Sequence, residues 1–194
     1  MHVMFYEAFE EETAVLRRML PGSVEAGISP QTVQASLDRT PPARLVSIRT
    51  QSVVPTEWGV GIDGVLTRSA GFDHLLRYRK TCPRRIVCGH LKDYCSRAVA
   101  EQAVLCMMAL FRKFSRQQEQ MGAFCRDGLT GRECRGRNAL VLGVGRIGSE
   151  IVDIVRGLGM NVKGVDIVRR RKDMEYVSLK KGAAWAHAVF CALP

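Results

Sequence analysis

The sequence predicts an α/β protein of two parallel-sheet domains, the second of them incomplete. Three observations carry that expectation. Short β-prone apolar runs alternate with helix-period stretches along the chain, the pattern of strand–helix–strand units. The alternation is interrupted between Met121 and Arg137 by a stretch with four glycines and no periodicity. It then resumes as strand, glycine-rich turn, helix and strand from Ala139 to Val165.

The elements follow in order. His2 to Tyr6 is apolar and reads as a first strand. Glu10 to Leu20 carries Ala14, Val15, Leu16, Met19 and Leu20 on a helical stripe, and Pro21-Gly22 stops it. Val24 to Ile28 is a short strand. Ser29-Pro30 is expected to open a helix through Leu37, since proline is tolerated at a first helical position. Pro41-Pro42 breaks the chain, and strands follow at Arg44–Ile48, Gly64–Thr67 and Arg85–Cys88, with a turn at Gly71–His74. Ser96 is expected to cap a long helix over 97–117. Its first part, Ala98 to Ala100 and Ala103 to Leu110, is apolar almost all round, so it should be buried on several sides and join two domains. Its second part, Arg112 to Gln120, should emerge into solvent. Ala139–Leu142 is then a strand, Arg146–Leu158 a helix ended by Gly159, and Val162–Val165 and Ala188–Leu193 are strands. The expected domains are 1–96 and 97–194.

Composition narrows the function classes. Of 194 residues, 46% are hydrophobic, enough for a packed core. The longest apolar run, Ala103 to Phe111, falls far short of the roughly 20 residues a membrane helix needs. Met1 to Phe9 has neither a basic n-region nor a small-residue cleavage site. The seven cysteines are odd in number and form no C-x-x-C pair, which reads as free thiols in a reducing cytosol and offers no zinc spacing. The expected location is cytoplasmic, with no membrane and no metal. Charge is uneven. Residues 1–60 hold 5 Lys/Arg and 7 Asp/Glu, whereas 61–194 hold 24 and 12, a net +12. Such a half could serve nucleic acid, anionic cofactors and substrates, or solvation. Its charges are scattered, apart from Arg169 to Lys172, and aromatic residues do not interleave with them, so a base-stacking surface is poorly supported.

Leu140-Val141-Leu142-Gly143-Val144-Gly145-Arg146-Ile147-Gly148 places G-x-G-x-x-G between a strand and a helix, the Rossmann context in which the motif binds a dinucleotide. Gly143 makes the turn, Gly145 lets backbone approach a pyrophosphate, and Gly148 lets the helix pack close to the sheet. Amides near Arg146 and Ile147 face the phosphates with a favourable helix dipole. Asp166 lies 18 residues beyond Gly148, at the end of the next strand. A carboxylate there accepts ribose hydroxyls and repels a 2′-phosphate, favouring NAD over NADP. Arg169 to Lys172 leave NADP open.

With these residues in place, the chain resembles the D-isomer-specific 2-hydroxyacid dehydrogenases. The resemblance rests on Leu129-Thr130-Gly131-Arg132-Glu133 leading through Arg135-Gly136-Arg137 into the glycine motif, on Ala98-Val99-Ala100-Glu101, and on Thr67-Arg68-Ser69-Ala70-Gly71-Phe72-Asp73-His74. It implies two α/β domains of Rossmann or flavodoxin-like build. Residues 1–96 would belong to the substrate domain. Residues 97–194 would be the first half of the NAD domain, opened by the interdomain helix. It implies that the amides of Ser69, Ala70 and Gly71 hold the substrate carboxylate, and that the strand ending Leu193-Pro194 lines the adenosine side. It also implies a homodimeric enzyme passing hydride between NAD(H) and a D-2-hydroxy acid or 2-keto acid. The family's catalytic Arg, Glu and His have no counterpart here, and His2, His74, His90 and His187 match no catalytic motif. A truncated product without catalytic residues is therefore expected. The alternative is a non-catalytic NAD(H)-binding or corepressor-like module.

Overall fold

A computed structural model describes residues 1–193 as two compact units, Met1–Tyr94 and Cys95 onward, and every strand pairing in both is parallel. In the first unit β1 (Val3–Phe5), α1 (Glu10–Met19), β2 (Ala26–Ile28), α2 (Val33–Ser36), β3 (Leu45–Ile48), β4 (Gly64–Thr67), α3 (Asp73–Thr81) and β5 (Val87–His90) build a sheet ordered β2-β1-β3-β4-β5. That is the flavodoxin-like order, in which β1 and β3 mark the point where the winding reverses. Val46, Ile48 and Val65 on one face pack with Tyr6, Trp58, Ile62, Leu75 and Tyr78. Leu45, Leu66 and Val87 on these strands stay exposed, Val87 by 76%. Parallel sheets normally bury both faces, so this side lacks a layer among the described residues.

The second unit holds α4 (Ser96–Phe111), α5 (Phe114–Met121), β6 (Asn138–Leu142), α6 (Arg146–Gly157), β7 (Asn161–Val165), β8 (Glu175–Tyr176), α7 (Leu179–Trp185) and β9 (Ala188–Cys191). Its sheet runs β8-β7-β6-β9, which is the 3-2-1-4 part of the doubly wound dinucleotide order. Ala139, Val141, Ile151, Val152 and Val155 form its core with Ala100, Val104, Met107 and Phe111 of α4. Apolar positions at i, i+4, i+7 and i+11 therefore give α4 one buried stripe.

Several sequence expectations are corrected. The helix expected from Pro30 begins only at Val33. Thr32 caps it by accepting the Ala35 N–H at 3.3 Å, and Leu37 at φ 62° ends it. The expected helix over 97–117 is two helices, because Lys113 at φ 55° takes the left-handed conformation and turns the chain. Ser96 is the first helical residue rather than the cap, and Cys95 before it makes no capping bond. That helix is not buried on several sides. Leu105 and Leu110 are 59% and 79% exposed. The turn at Gly71–His74 leads into α3, and Val87–His90 replaces the strand expected at Arg85–Cys88. β8 and α7 were not anticipated, since two strand residues and a Lys-Lys-Gly helix carry little periodic signal.

Candidate functional site

In the second unit the site forms where β6 ends. Gly143 leaves the strand at φ 82°, a left-handed conformation that a side chain resists, and its N–H donates to the Val165 carbonyl at 2.9 Å. A Cβ there would come within 2.7 Å of the Ala192 carbonyl oxygen. Gly148, in the first turn of α6, faces back onto the same turn. A Cβ at Gly148 would overlap the Gly143 carbonyl oxygen and press on Val141. The two glycines thus make one contact between helix and strand end. The position of a Cβ on Gly145 is open space, which leaves room for a ligand against the backbone. The first-turn amides of an α-helix have no partner within the helix, and here they lie at this opening.

Asp166 follows β7 directly and faces the turn. Its Oδ2 accepts the Val144 N–H at 2.6 Å and its Oδ1 the Val168 N–H at 2.9 Å. The Val168 amide, with those of Val144 and Ile167 and the Arg170 charge, holds this carboxyl below the usual carboxylate range against a smaller desolvation effect. The carboxylate therefore stays ionised and ties the glycine turn to the end of β7. In the basic run beyond it, Arg171 is engaged with Asp153 at 2.7 Å, Asp173 at 2.7 Å and the Ser149 carbonyl at 3.1 Å. Arg169 lies over the Tyr176 ring at 5.9 Å, and Arg170 is exposed. Leu193 borders the turn, with its side chain 3.0 Å from where a Gly143 Cβ would stand. Pro194, also expected at this site, lies outside the described residues.

In the first unit Ser69, Ala70 and Gly71 follow β4 at the carboxyl edge of the sheet. That edge is where open parallel sheets bind ligands. Ser69 is 9% exposed; its Oγ lies 2.7 Å from Thr67 Oγ1 and donates to the Gly71 carbonyl at 2.8 Å. This loop is held from within. The Ala70 and Gly71 amides donate to no group among the described residues.

Sequence reasoning missed the charged network beneath the loop. Arg68, 6% exposed, donates to Glu12 Oε1 at 2.7 Å, the Tyr6 carbonyl at 2.7 Å and Ser47 Oγ at 3.0 Å. Glu12 also pairs with Arg49 at 3.3 Å. Burial pushes the Glu12 carboxyl up, but Arg68 and Arg49 outweigh it and hold it below its ordinary value. Glu7, 6% exposed and at φ 54°, accepts the amides of Arg49, Gln51 and Ser52 at 2.9, 3.1 and 3.0 Å, and so shapes the loop after β3. The available signal was a charged residue within two positions of the end of three apolar strands: Arg49 and Arg68 directly follow β3 and β4, and Glu7 lies two residues beyond β1.

Among known proteins, residues 104–194 match the family model described as D-isomer specific 2-hydroxyacid dehydrogenase, NAD binding domain. A 2-hydroxyacid dehydrogenase homolog of Haemophilus influenzae is 30% identical over 142 residues, covering 70% of this chain and 42% of that protein. The D-lactate dehydrogenase of Escherichia coli is 34% identical over 109 residues, covering 55% of this chain and 32% of that protein. The chain thus spans less than half the length of either curated relative. In fold it resembles the apo structure of D-lactate dehydrogenase from Escherichia coli, with a TM-score of 0.85 at 22% identity over 100% of this chain and 65% of that one. It also resembles D-lactate dehydrogenase from Aquifex aeolicus in complex with NAD and lactic acid, with a TM-score of 0.80 at 24% identity over 100% and 61%.

Proposed function

Because residues 104–194 match the NAD-binding domain of the D-isomer-specific 2-hydroxyacid dehydrogenases, we propose that this chain is a member of that family and contributes the cofactor cradle and the carboxylate loop of an NAD-dependent oxidoreductase acting on a D-2-hydroxy acid or its 2-keto acid. The observation that carries this reading is the joined turn at β6, where Gly148 abuts Gly143 and Asp166 holds the Val144 amide at 2.6 Å. The residues fit a dinucleotide. Gly145 leaves the backbone open to a pyrophosphate, the amides of Arg146 and Ile147 begin α6, and Leu193 borders the adenosine side. Asp166, ionised and fixed, stands where a ribose would lie. NAD, when bound, supplies or accepts the hydride.

Residues 1–96 are the substrate domain of this reading, and the first unit holds Met1–Tyr94 of it. The unbonded amides of Ala70 and Gly71, with Ser69 bracing the loop, receive the substrate carboxylate. Arg68 lies beneath that loop but is committed to Glu12, so it fixes the loop rather than the substrate. The complete enzyme is proposed to be a cytoplasmic homodimer.

Cofactor titration tests the reading. NAD is expected to bind more tightly than NADP. Asp166→Ala should cost about tenfold or more in NAD affinity, because a charge-assisted hydrogen bond is worth roughly 1.5–3 kcal/mol. It should also narrow the NAD/NADP gap, since Arg169 and Arg170 remain while the carboxylate does not. Equal affinities in the unaltered protein count against the role of Asp166.

The 194-residue polypeptide is expected to give no turnover in an NADH oxidation assay with pyruvate, glyoxylate or hydroxypyruvate. General acid catalysis alone contributes typically 10²–10⁴-fold. Steady turnover would place the proton donor within this chain.

A further inference from the structure

In the first unit, α3 and residues 52–56 enclose a cavity of about 220 Å³. A water occupies about 30 Å³ of liquid, so the space holds several waters or a ligand of similar size. Ile48, Val54 and Leu75 form an aliphatic wall, and Thr56, His74, Arg77 and Tyr78 complete the lining. One of these carries an orphaned polar atom. His74 Nε2 is buried with no hydrogen-bond partner, whereas the hydroxyl of Tyr78, 8% exposed, has the Cys82 thiol beside it. Native proteins leave few buried polar atoms unpaired, and one on a cavity of this size points to a missing ligand or water. Arg77 is exposed and makes no ion pair among the described residues.

We propose that this cavity is a binding site for a short-chain carboxylate, separate from the Ser69–Gly71 loop. The chemistry selects the ligand. The Arg77 guanidinium, which makes no ion pair among the described residues, favours an anion over a cation, with Asp73 and Glu7 the carboxylates nearest the lining His74. The aliphatic wall has no use for inorganic phosphate but suits a tail of two or three carbons. The carboxylate head meets Arg77 and the His74 and Tyr78 hydrogen-bonding groups, while the tail lies on Ile48, Val54 and Leu75. The site belongs to the first unit and does not depend on the dinucleotide reading.

His74 reports on occupancy. Burial holds its pKa below the ordinary histidine range, Arg77 lowers it further, and Glu7 and Asp73 oppose that. A bound carboxylate offsets Arg77 and stabilises the imidazolium, so the pKa should rise. The experiment is NMR titration of the His74 ring with sodium butyrate, against sodium chloride at equal ionic strength. A saturable shift specific to butyrate and a raised His74 pKa are expected. Arg77→Gln should weaken binding at least tenfold and Tyr78→Phe severalfold, with NAD affinity unchanged in both. A His74 ring that does not respond saturably overturns the proposal. So does undiminished butyrate affinity in Arg77→Gln, which would place the acid elsewhere, such as at the Ala70 and Gly71 amides.

Discussion

Gly148→Ala is expected to abolish measurable NAD binding and to destabilise the second unit by about 1–3 kcal/mol or more, the cost of forcing extra carbon into a packed interior. The added methyl cannot be accommodated by rotating a side chain, because what it meets first is the Gly143 carbonyl oxygen on the backbone. Either α6 moves away from β6 or the turn opens. Moving α6 breaks its packing through Ile151, Val152 and Val155, which are at most 2% exposed. Opening the turn displaces Gly143 from its left-handed conformation and pulls the Val144 amide from Asp166. Both routes remove the backbone geometry that receives a pyrophosphate. Gly157→Ala is the matched control. It lies in the same helix, a Cβ there meets nothing within 4 Å, and the change should be neutral or stabilising by up to about 1 kcal/mol. Urea unfolding and NAD titration of both variants test this. Unchanged NAD affinity in Gly148→Ala would disprove the close contact.

Arg68→Met is expected to cost the first unit about 3–5 kcal/mol, the range for removing one partner of a buried ion pair. The methionine fills part of the volume but leaves the Tyr6 carbonyl and Ser47 hydroxyl without their donor, and Glu12 with Arg49 alone. Adding Glu12→Gln should recover part of the loss, because the uncompensated charge disappears. The pair also sets an acid response. Glu12 has its folded pKa depressed, so its stabilisation is fully present above the unfolded glutamate pKa, near 4.3. It is lost as pH falls through the lower, folded value. Arg68→Met should therefore destabilise strongly at pH 7 and progressively less as pH falls below about 4. Denaturant unfolding at pH 7 and pH 3.5 measures this. An equal penalty at both pH values would mean that the loss comes from packing and carbonyl bonds instead of charge.

The glycine site was largely legible in the sequence, and the charged network was not. Gly143, Gly145, Gly148 and Asp166 are close in sequence, and each residue type answers a local demand of the strand–turn–helix–strand path. Glu12 and Arg68 are 56 residues apart and meet only because β1, β3 and β4 bring their carboxyl ends to one edge. No local pattern marks such a pair. The break at Lys113 was hidden for another reason. Lysine is a good helix former, and nothing in Arg112-Lys113-Phe114 signals a left-handed residue. The break is accompanied by bonds to the later loop. The Lys113 Nζ donates to the Gly128 carbonyl at 2.8 Å, and the Arg132 amide to the Phe111 carbonyl at 2.8 Å.

The sequence by itself determined the alternating strand–helix plan, the place of the dinucleotide turn and the residue types it demands. These follow from short-range periodicity and from backbone conformations only glycine adopts freely. Tertiary structure alone decided the two strand orders, which depend on pairings between segments far apart in the chain. It also decided the second task of Asp166. Composition and spacing place that carboxylate near a ribose, but only the parallel register of β6 and β7, with Leu142 beside Val165, brings it within 2.6 Å of the Val144 amide. Hydrogen bonds of that kind depend on distances of a few tenths of an ångström, and those distances are set by packing across the whole unit.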